Sequence, residues 1–144
     1  MNGSTYKGIA RFFARQTLGF IFMMAGWWKC FELTPLEHAE KFFIGPGADL
    51  WVPNFILWPV GTVVPIIELL AGGLLILGLF QNYALLSLGA VLIIVLYGHL
   101  LMDPLFVTVS HIFPRTILLI IIFALPQSED VWAIDSLFNR TKEE

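Results

Sequence analysis

The sequence predicts an all-helical membrane protein, a bundle of four transmembrane helices, and three observations support this fold class. Of the 144 residues, 58% are hydrophobic and only 13% are charged, whereas a soluble domain has about 45–50% apolar and about 25% charged residues. The apolar residues are gathered into four long runs, and a run such as Ile117–Phe123 lacks the alternation of a barrel strand. The polar residues are too few to cover a soluble domain, so the bilayer is the expected solvent.

Each run reaches or approaches the roughly 20 residues that cross a hydrocarbon core. Because backbone groups in lipid must satisfy one another, we expect helices. The first run is not a cleaved signal peptide, since Trp27, Trp28 and Lys29 stand where small cleavage-site residues would lie. We predict one membrane domain over residues 1–144, with spans at about 9–30, 55–80, 83–101 and 105–125.

The charges predict an orientation. Lysine and arginine favour the cytoplasmic side of a membrane, and one side of the predicted topology holds Lys7, Arg11, Arg15, Arg140 and Lys142. Both termini and the tail 126–144 are therefore expected in the cytoplasm of a bacterial inner (plasma) membrane, and the acidic loop 31–54 outside. A net charge of -3 without a basic run argues against nucleic-acid binding. The single cysteine excludes an internal disulfide.

The outer loop contains a short helix of its own. Thr34-Pro35-Leu36-Glu37 has the pattern of a capping box with proline at the first helical position. Gly45-Pro46-Gly47 is expected to stop this helix. We predict that it lies along the outer leaflet as an interfacial helix, and a plain capping loop is the alternative.

Glu68 is the most informative polar residue because it lies near the middle of its predicted span. An ionised side chain there costs about 2.5–3.5 kcal/mol on insertion scales, so it must be paired, neutral or facing a cavity. Arg115, about 15 Å into the fourth span, is the predicted partner. The pair is interpreted as a catalytic, proton-handling or ligand-binding site, with a structural ion pair as the alternative.

Two other features surround Glu68 in the second span. Pro65 removes a backbone donor and frees the carbonyl of Gly61, which must find a side chain or a water. Ala71-Gly72-Gly73 predicts close helix packing, with room for a flat ring as the alternative.

A second group of candidate ligand-binding residues lies toward the outer ends of the spans. His99 is predicted to lie near Lys29, Asp103 and His111, where it would contact a ligand carbonyl or admit a proton. Their spacing matches no zinc motif, so no metal site is predicted. The tryptophans Trp27, Trp28 and Trp58 are either interfacial or lining for a ring-binding pocket. Lys29 and Arg15 have a simpler alternative, in which each side chain extends to the nearer membrane–water interface and binds no ligand.

Three sequence motifs together resemble a known family. They are A-R-x-x-L-G-x-x-F-x-x-A-G-W-x-K from Ala14, E-L-L-A-G-G-L-L-I-L-G-L from Glu68, and W-A-I-D-S-L-F from Trp132, with His99 between the last two. In this order and spacing the chain resembles the DoxX family of small four-helix membrane proteins. The resemblance covers nearly the whole chain, from about Ala14 to Phe138.

The resemblance implies a redox-associated role, because the family includes the membrane subunit type of thiosulfate:quinone oxidoreductase. It implies that the recurrent polar residues are Arg15, Lys29, Glu68, His99 and Arg115. We therefore predict a small membrane subunit that binds quinone as its only cofactor or docks a membrane or periplasmic redox partner. Two alternatives stay open. One is a structural or assembly subunit of a larger membrane complex, and the other is a small-solute or lipid-binding carrier.

Overall fold

The computed structural model describes residues 3–48, 50–102 and 108–136. These residues form an all-helical structure without a β-strand, as predicted. In chain order the helices are α1 (Gly3–Trp27) with a following π-helical turn (Trp28–Glu32), α2 (Pro35–Ala39) with a second π-helical turn (Glu40–Ile44), α3 (Gly45–Gly47), α4 (Asn54–Leu77), α5 (Gln81–Met102), α6 (Thr108–Ala124) and a 3₁₀ turn (Gln127–Glu129).

Two helices, α4 and α5, are long and apolar enough to cross a membrane. Their most apolar stretches have mean hydropathies of 2.2 and 2.3, yet only 39% and 22% of those stretches are buried by the rest of the chain. The core helix of a soluble protein is mostly covered, whereas most of the apolar surface of α4 and α5 is not. The described part of α6 holds a shorter apolar helix over Ser110–Ala124.

The four long helices each pack against two others. α1 lies against α4 and α6, and α5 lies against the same two helices, so the four form a closed ring around one core. The side chains at its centre are fully buried and apolar, and they include Leu18, Phe22, Leu75, Leu85 and Leu88. Each predicted apolar run is therefore a helix, with ends within a few residues of the predicted bounds except at the start of α1.

Glycines allow α1 and α4 to approach closely. A Cβ on Gly26 would lie 2.3 Å from the backbone nitrogen of Leu69, and one on Gly72 would lie 2.5 Å from that of Met23. No side chain fits at such distances, so the two backbones are in direct contact. The predicted close packing is confirmed at Gly72, whereas Gly73 has no neighbour within 4 Å of its Cβ position.

The outer segment between α1 and α4 contains the predicted short helix. Thr34 caps α2, since its Oγ1 accepts the backbone N–H of Glu37 at 3.3 Å, and Pro35 is the first helical residue. The helical segment ends at Gly47, within the Gly45-Pro46-Gly47 motif that is expected to stop it.

Two arginines of α1 satisfy the carbonyl ends of other helices. Arg15 donates to the carbonyls of Leu75 and Ile76 in the last turn of α4. Arg11, one turn earlier, donates to the carbonyls of Ile122 and Leu125 at the end of α6. The last carbonyls of a helix have no intrahelical partner, and cations are favoured beside them. We call this end of the bundle, where α4 and α6 end and α5 begins, the inner end.

The segment after α6 closes the inner end. The carboxylate of Asp135 accepts the backbone N–H groups of Phe80 and Gln81 at 2.9 and 3.0 Å, so it caps the start of α5. Its own N–H donates to the carbonyl of Gly78 at 3.0 Å. Gly78 ends α4 in a left-handed conformation with φ of 68°, where Ala133 would collide with a Cβ. The tail therefore fixes the turn between α4 and α5.

Candidate functional site

The α1–α4 contact brings Lys29 and Glu68 together. The Nζ of Lys29 lies 2.5 Å from Oε2 of Glu68. Glu68 is fully buried and Lys29 is about one-fifth exposed. Glu68 lies 14 residues after Asn54, the first residue of α4, which places it about 21 Å along a 24-residue helix. An ion pair thus stands in the middle of the apolar helix, as expected for Glu68.

A local irregularity places Lys29 at this position. After Trp27 the chain continues as a π-helical turn, in which the N–H of Leu33 donates to the carbonyl of Trp28 at 3.1 Å. Such a turn is wider than an α-helical turn and is frequent at functional sites. Gly26, just before it, lets α1 touch the backbone of α4 at Leu69. The lysine side chain therefore has only a short distance to reach Glu68.

The predicted pairing of Glu68 with Arg115 is wrong. Arg115 lies with its guanidinium carbon 5.5 Å from the ring centre of Phe22, a cation–π contact, and the salt bridge of Glu68 is to Lys29. The physical reason is helix order in the ring, because α6 packs against α1 and α5 while α1 packs directly on α4. Glu68 and Arg115 were predicted to pair because they lie at similar depth in their helices. The helix that packs directly on α4 is α1, and it supplies Lys29 instead.

His38 satisfies the carbonyl that Pro65 leaves free. Its Nδ1 lies 2.7 Å from the carbonyl oxygen of Gly61. Because a carbonyl only accepts, Nδ1 carries the proton. The prediction that this carbonyl finds a partner is confirmed, and the partner comes from α2. Ala39, next to His38, is fully buried against Gly61, so α2 packs on α4.

Burial lowers the pKa of the His38 imidazole below its usual value of 6.5. The positive charge of Lys29 acts in the same direction, while the hydrogen bond to Gly61 opposes it. His38 lies in the outer segment, outside the four long helices. The neutral imidazole with its proton on Nδ1 is thus the favoured form near neutral pH.

Arg15 is buried at the inner end of the bundle. Its side chain is fully buried, and its Nε lies 2.8 Å from Oδ2 of Asp130, which is also fully buried. Its Nη1 donates to the end of α4, whereas its Nη2 is buried without a hydrogen-bond partner among the described residues. Arg15 contacts the tail because a buried guanidinium needs a counter-charge, and Asp130 supplies it. The sequence contains one hint of this role for Asp130. α1 carries Arg11 and Arg15 but no carboxylate, so a counter-charge has to come from another segment.

No hydrogen bond or salt bridge links the other predicted polar site residues that the structure describes to the Lys29–Glu68 pair. His99 is partly exposed near the end of α5, and in the described residues it forms no hydrogen bond with Lys29 or Glu68. His111 is exposed on α6. Asp103 lies outside the described residues. No group of three or more His, Cys, Asp or Glu side chains that could hold a metal ion occurs in the part of the chain that the structure describes.

The three predicted ring-lining tryptophans are on the surface. Trp27, Trp28 and Trp58 are each between about one-third and one-half exposed. Trp27 packs on Phe31, with ring centres 4.4 Å apart. No ring contact joins the three tryptophans among the described residues, so a shared pocket is not formed by them alone. Trp27, Trp28 and Phe31 nevertheless surround the position of Lys29 along the chain.

Chemically, the Lys29–Glu68 pair combines a proton donor with a proton acceptor in an apolar setting. A lysine ammonium has three N–H donors, of which Glu68 takes one. The pair can therefore bind an acceptor atom and exchange a proton with it. No family model, curated protein or solved structure matches this chain.

Proposed function

We propose that the chain spans a bilayer with its four long helices, with both termini on the cytoplasmic side. The surface of α5 supports this proposal. Tyr83, Leu86, Ile93 and Tyr97 are each at least half exposed, and their spacing of three, seven and four residues puts them on one face of the helix. An apolar face opposite the packed one is costly in water and favourable in lipid.

We further propose that the protein is a small subunit of a redox system and binds an isoprenoid quinone at Lys29 and Glu68. The buried ion pair halfway along α4 carries this proposal. Ionisable residues inside a membrane are costly, and they commonly form proton paths and ligand sites. The resemblance to the DoxX family adds quinone as the ligand class.

The residues around the pair suit such a ligand. Lys29 would donate a hydrogen bond to a quinone carbonyl oxygen, and Glu68 would hold or release a proton beside it. Half-exposed aromatic rings of Trp27, Trp28 and Phe31 offer flat apolar surface to a ring that enters from the lipid. A bound quinone would supply two-electron chemistry, and the electrons would pass to or from a partner protein. His99 is predicted to contact the ligand from the outer side.

The proposal is tested by purifying the full chain in mild detergent and extracting bound quinone for mass spectrometry. We expect quinone with the wild-type chain and a loss of most of it in Glu68→Gln. Glu40→Gln, an exposed carboxylate of the outer segment, is the matched control and should retain the ligand. Lys29→Arg keeps the positive charge and shows whether any cation paired with Glu68 is sufficient for quinone to be retained.

Two outcomes would overturn the quinone proposal. The first is a chain that purifies without quinone while deletion of its gene collapses a larger membrane complex, which supports a structural or assembly subunit. The second is solute uptake by vesicles that contain only this protein, which supports a carrier. Mass spectrometry of all co-purifying proteins and lipids distinguishes these outcomes.

A further inference from the structure

A second buried polar group lies at the inner end, far from the Lys29–Glu68 pair. Arg11 is 2% exposed, and its two terminal nitrogens are occupied by the carbonyls of Ile122 and Leu125 and by Oε1 of Gln81. Its Nε has no hydrogen-bond partner. Among the described residues, Arg11 forms no salt bridge within 4 Å. The carboxylate that acts on it from further away is Asp130, which is paired with Arg15.

The nearby carboxylates already have partners. Asp130 is paired with Arg15 at 2.8 Å. Asp135 accepts three N–H groups, two from the start of α5 and one from Gln127 at 3.1 Å. A buried charge without a counter-charge is unfavourable by several kcal/mol. A negative ligand beside Arg11 would remove that penalty.

An open cavity of about 240 Å³ lies against Arg11. Asn82 at the start of α5 and Gln127 after α6 line it as well. The first N–H groups of a helix lack intrahelical partners, and the helix dipole makes this end positive. Here Asp135 accepts the N–H groups of Phe80 and Gln81 and the amide of Gln127. The cavity thus combines a buried guanidinium whose Nε has no partner with the exposed side-chain amide of Asn82 at the start of α5. These are the donors that bind phosphate groups in proteins.

We propose that this cavity binds an anionic phosphate group. Its place favours a phospholipid headgroup as the source, because α4 and α6 end there and α5 begins. If these helices span the bilayer, that plane is the headgroup region of one leaflet. Basic pockets between helices at this level bind anionic lipid headgroups. Free phosphate has the same chemistry and is the other possible source.

The test titrates the full chain in mild detergent with short-chain phosphatidylglycerol, short-chain phosphatidylcholine and inorganic phosphate, and counts adducts by native mass spectrometry. We expect phosphatidylglycerol to bind more tightly than phosphatidylcholine. Asn82→Asp puts a negative charge on an exposed lining residue and should weaken phosphatidylglycerol binding on the order of tenfold through repulsion of like charges. The fold is preserved, because an acidic residue at a helix start is favourable.

Asn54→Asp is the matched control, since Asn54 is an exposed residue in the first turn of α4, at the outer end. It should leave the affinity unchanged. Competition by inorganic phosphate at comparable concentration would assign the site to free phosphate rather than lipid. Equal affinities of the two lipids, or equal affinities of the two variants, would overturn the proposal.

Discussion

Lys29 and Glu68 form a 2.5 Å salt bridge between the π-helical turn after α1 and the middle of α4. The bond joins the two helices whose backbones touch at Gly26 and Leu69. Glu68 is buried, so its charge depends on Lys29 for compensation. The pair therefore joins α1 to α4 and stands at the centre of the candidate site.

We predict that Lys29→Met destabilises the protein by about 3 kcal/mol, because it leaves a buried carboxylate without a counter-charge. Adding Glu68→Gln should restore part of this loss. The coupling free energy from a double-mutant cycle, measured by unfolding in detergent, should exceed about 1 kcal/mol. The same cycle with Arg115→Met and Glu68→Gln should give a smaller coupling. Equal couplings would mean that Arg115 contributes as much to Glu68 as Lys29 does.

Gly26→Ala should destabilise the protein strongly. Its Cβ would lie 2.3 Å from the nitrogen and 2.7 Å from the Cα of Leu69, and a backbone cannot move aside as a side chain can. Gly73→Ala, on α4, is the control, because no atom lies within 4 Å of its Cβ position. That change should stabilise α4 by about 0.5–1 kcal/mol, since alanine favours the helix. Melting temperatures that fall equally for both variants would contradict the α1–α4 contact.

The hydrogen bond from His38 to Gly61 should matter less when Pro65 is replaced. Alanine at position 65 restores the N–H that a continuous helix gives to the carbonyl of Gly61. We expect His38→Ala to cost about 1–3 kcal/mol in the wild-type chain, the cost of a buried unsatisfied carbonyl. In the Pro65→Ala background it should cost less. Unfolding measurements on the four proteins of this cycle give the comparison, and an unchanged cost would show that Gly61 does not depend on His38.

Stability should also depend on pH through His38. Its pKa in the folded protein lies below the usual 6.5, mainly because of burial. Below about pH 6.5 the unfolded chain therefore binds more protons than the folded one. The free energy of unfolding then decreases as the pH is lowered, until the pH has passed the pKa of the folded protein. His38→Gln keeps a donor for Gly61 and should flatten this part of the pH profile. His111→Gln, an exposed control, should leave it as in the wild type.

The helices follow from sequence because their signals are local. Apolar runs of sufficient length predicted all four long helices, and Thr34 with Pro35 predicted the start of α2. Pro65 predicted an unsatisfied carbonyl at Gly61, since the missing bond is a property of proline itself. Each of these features depends on residues within a few positions of one another.

The partners of the buried charges do not follow from sequence in the same way. Glu68 could be placed at mid-span, but its partner depended on which helix packs beside α4 and on a π-helical turn that carries Lys29 to it. Arg15 and Asp130 are 115 positions apart and meet only because the tail folds back on α1. Depth along a helix can be read from the sequence, whereas the choice of neighbour depends on the whole packing arrangement.

The ion pair between Arg15 and Asp130 should be the most sensitive point of the tail. Asp130→Asn removes the carboxylate while Arg15 stays fully buried, so we expect a loss of about 3–5 kcal/mol. Added salt should change this little, because buried pairs are poorly screened. Glu40→Gln is the control, since Glu40 is exposed and forms no salt bridge within 4 Å among the described residues, and it should cost less than about 1 kcal/mol. Unfolding in detergent with and without added salt measures the loss of stability and its salt dependence in both variants. About 0.5 M salt is on the order of several times the physiological concentration. If the two variants lose equal stability, Asp130 does not compensate Arg15, and the tail is held by its backbone contacts with Gly78 instead.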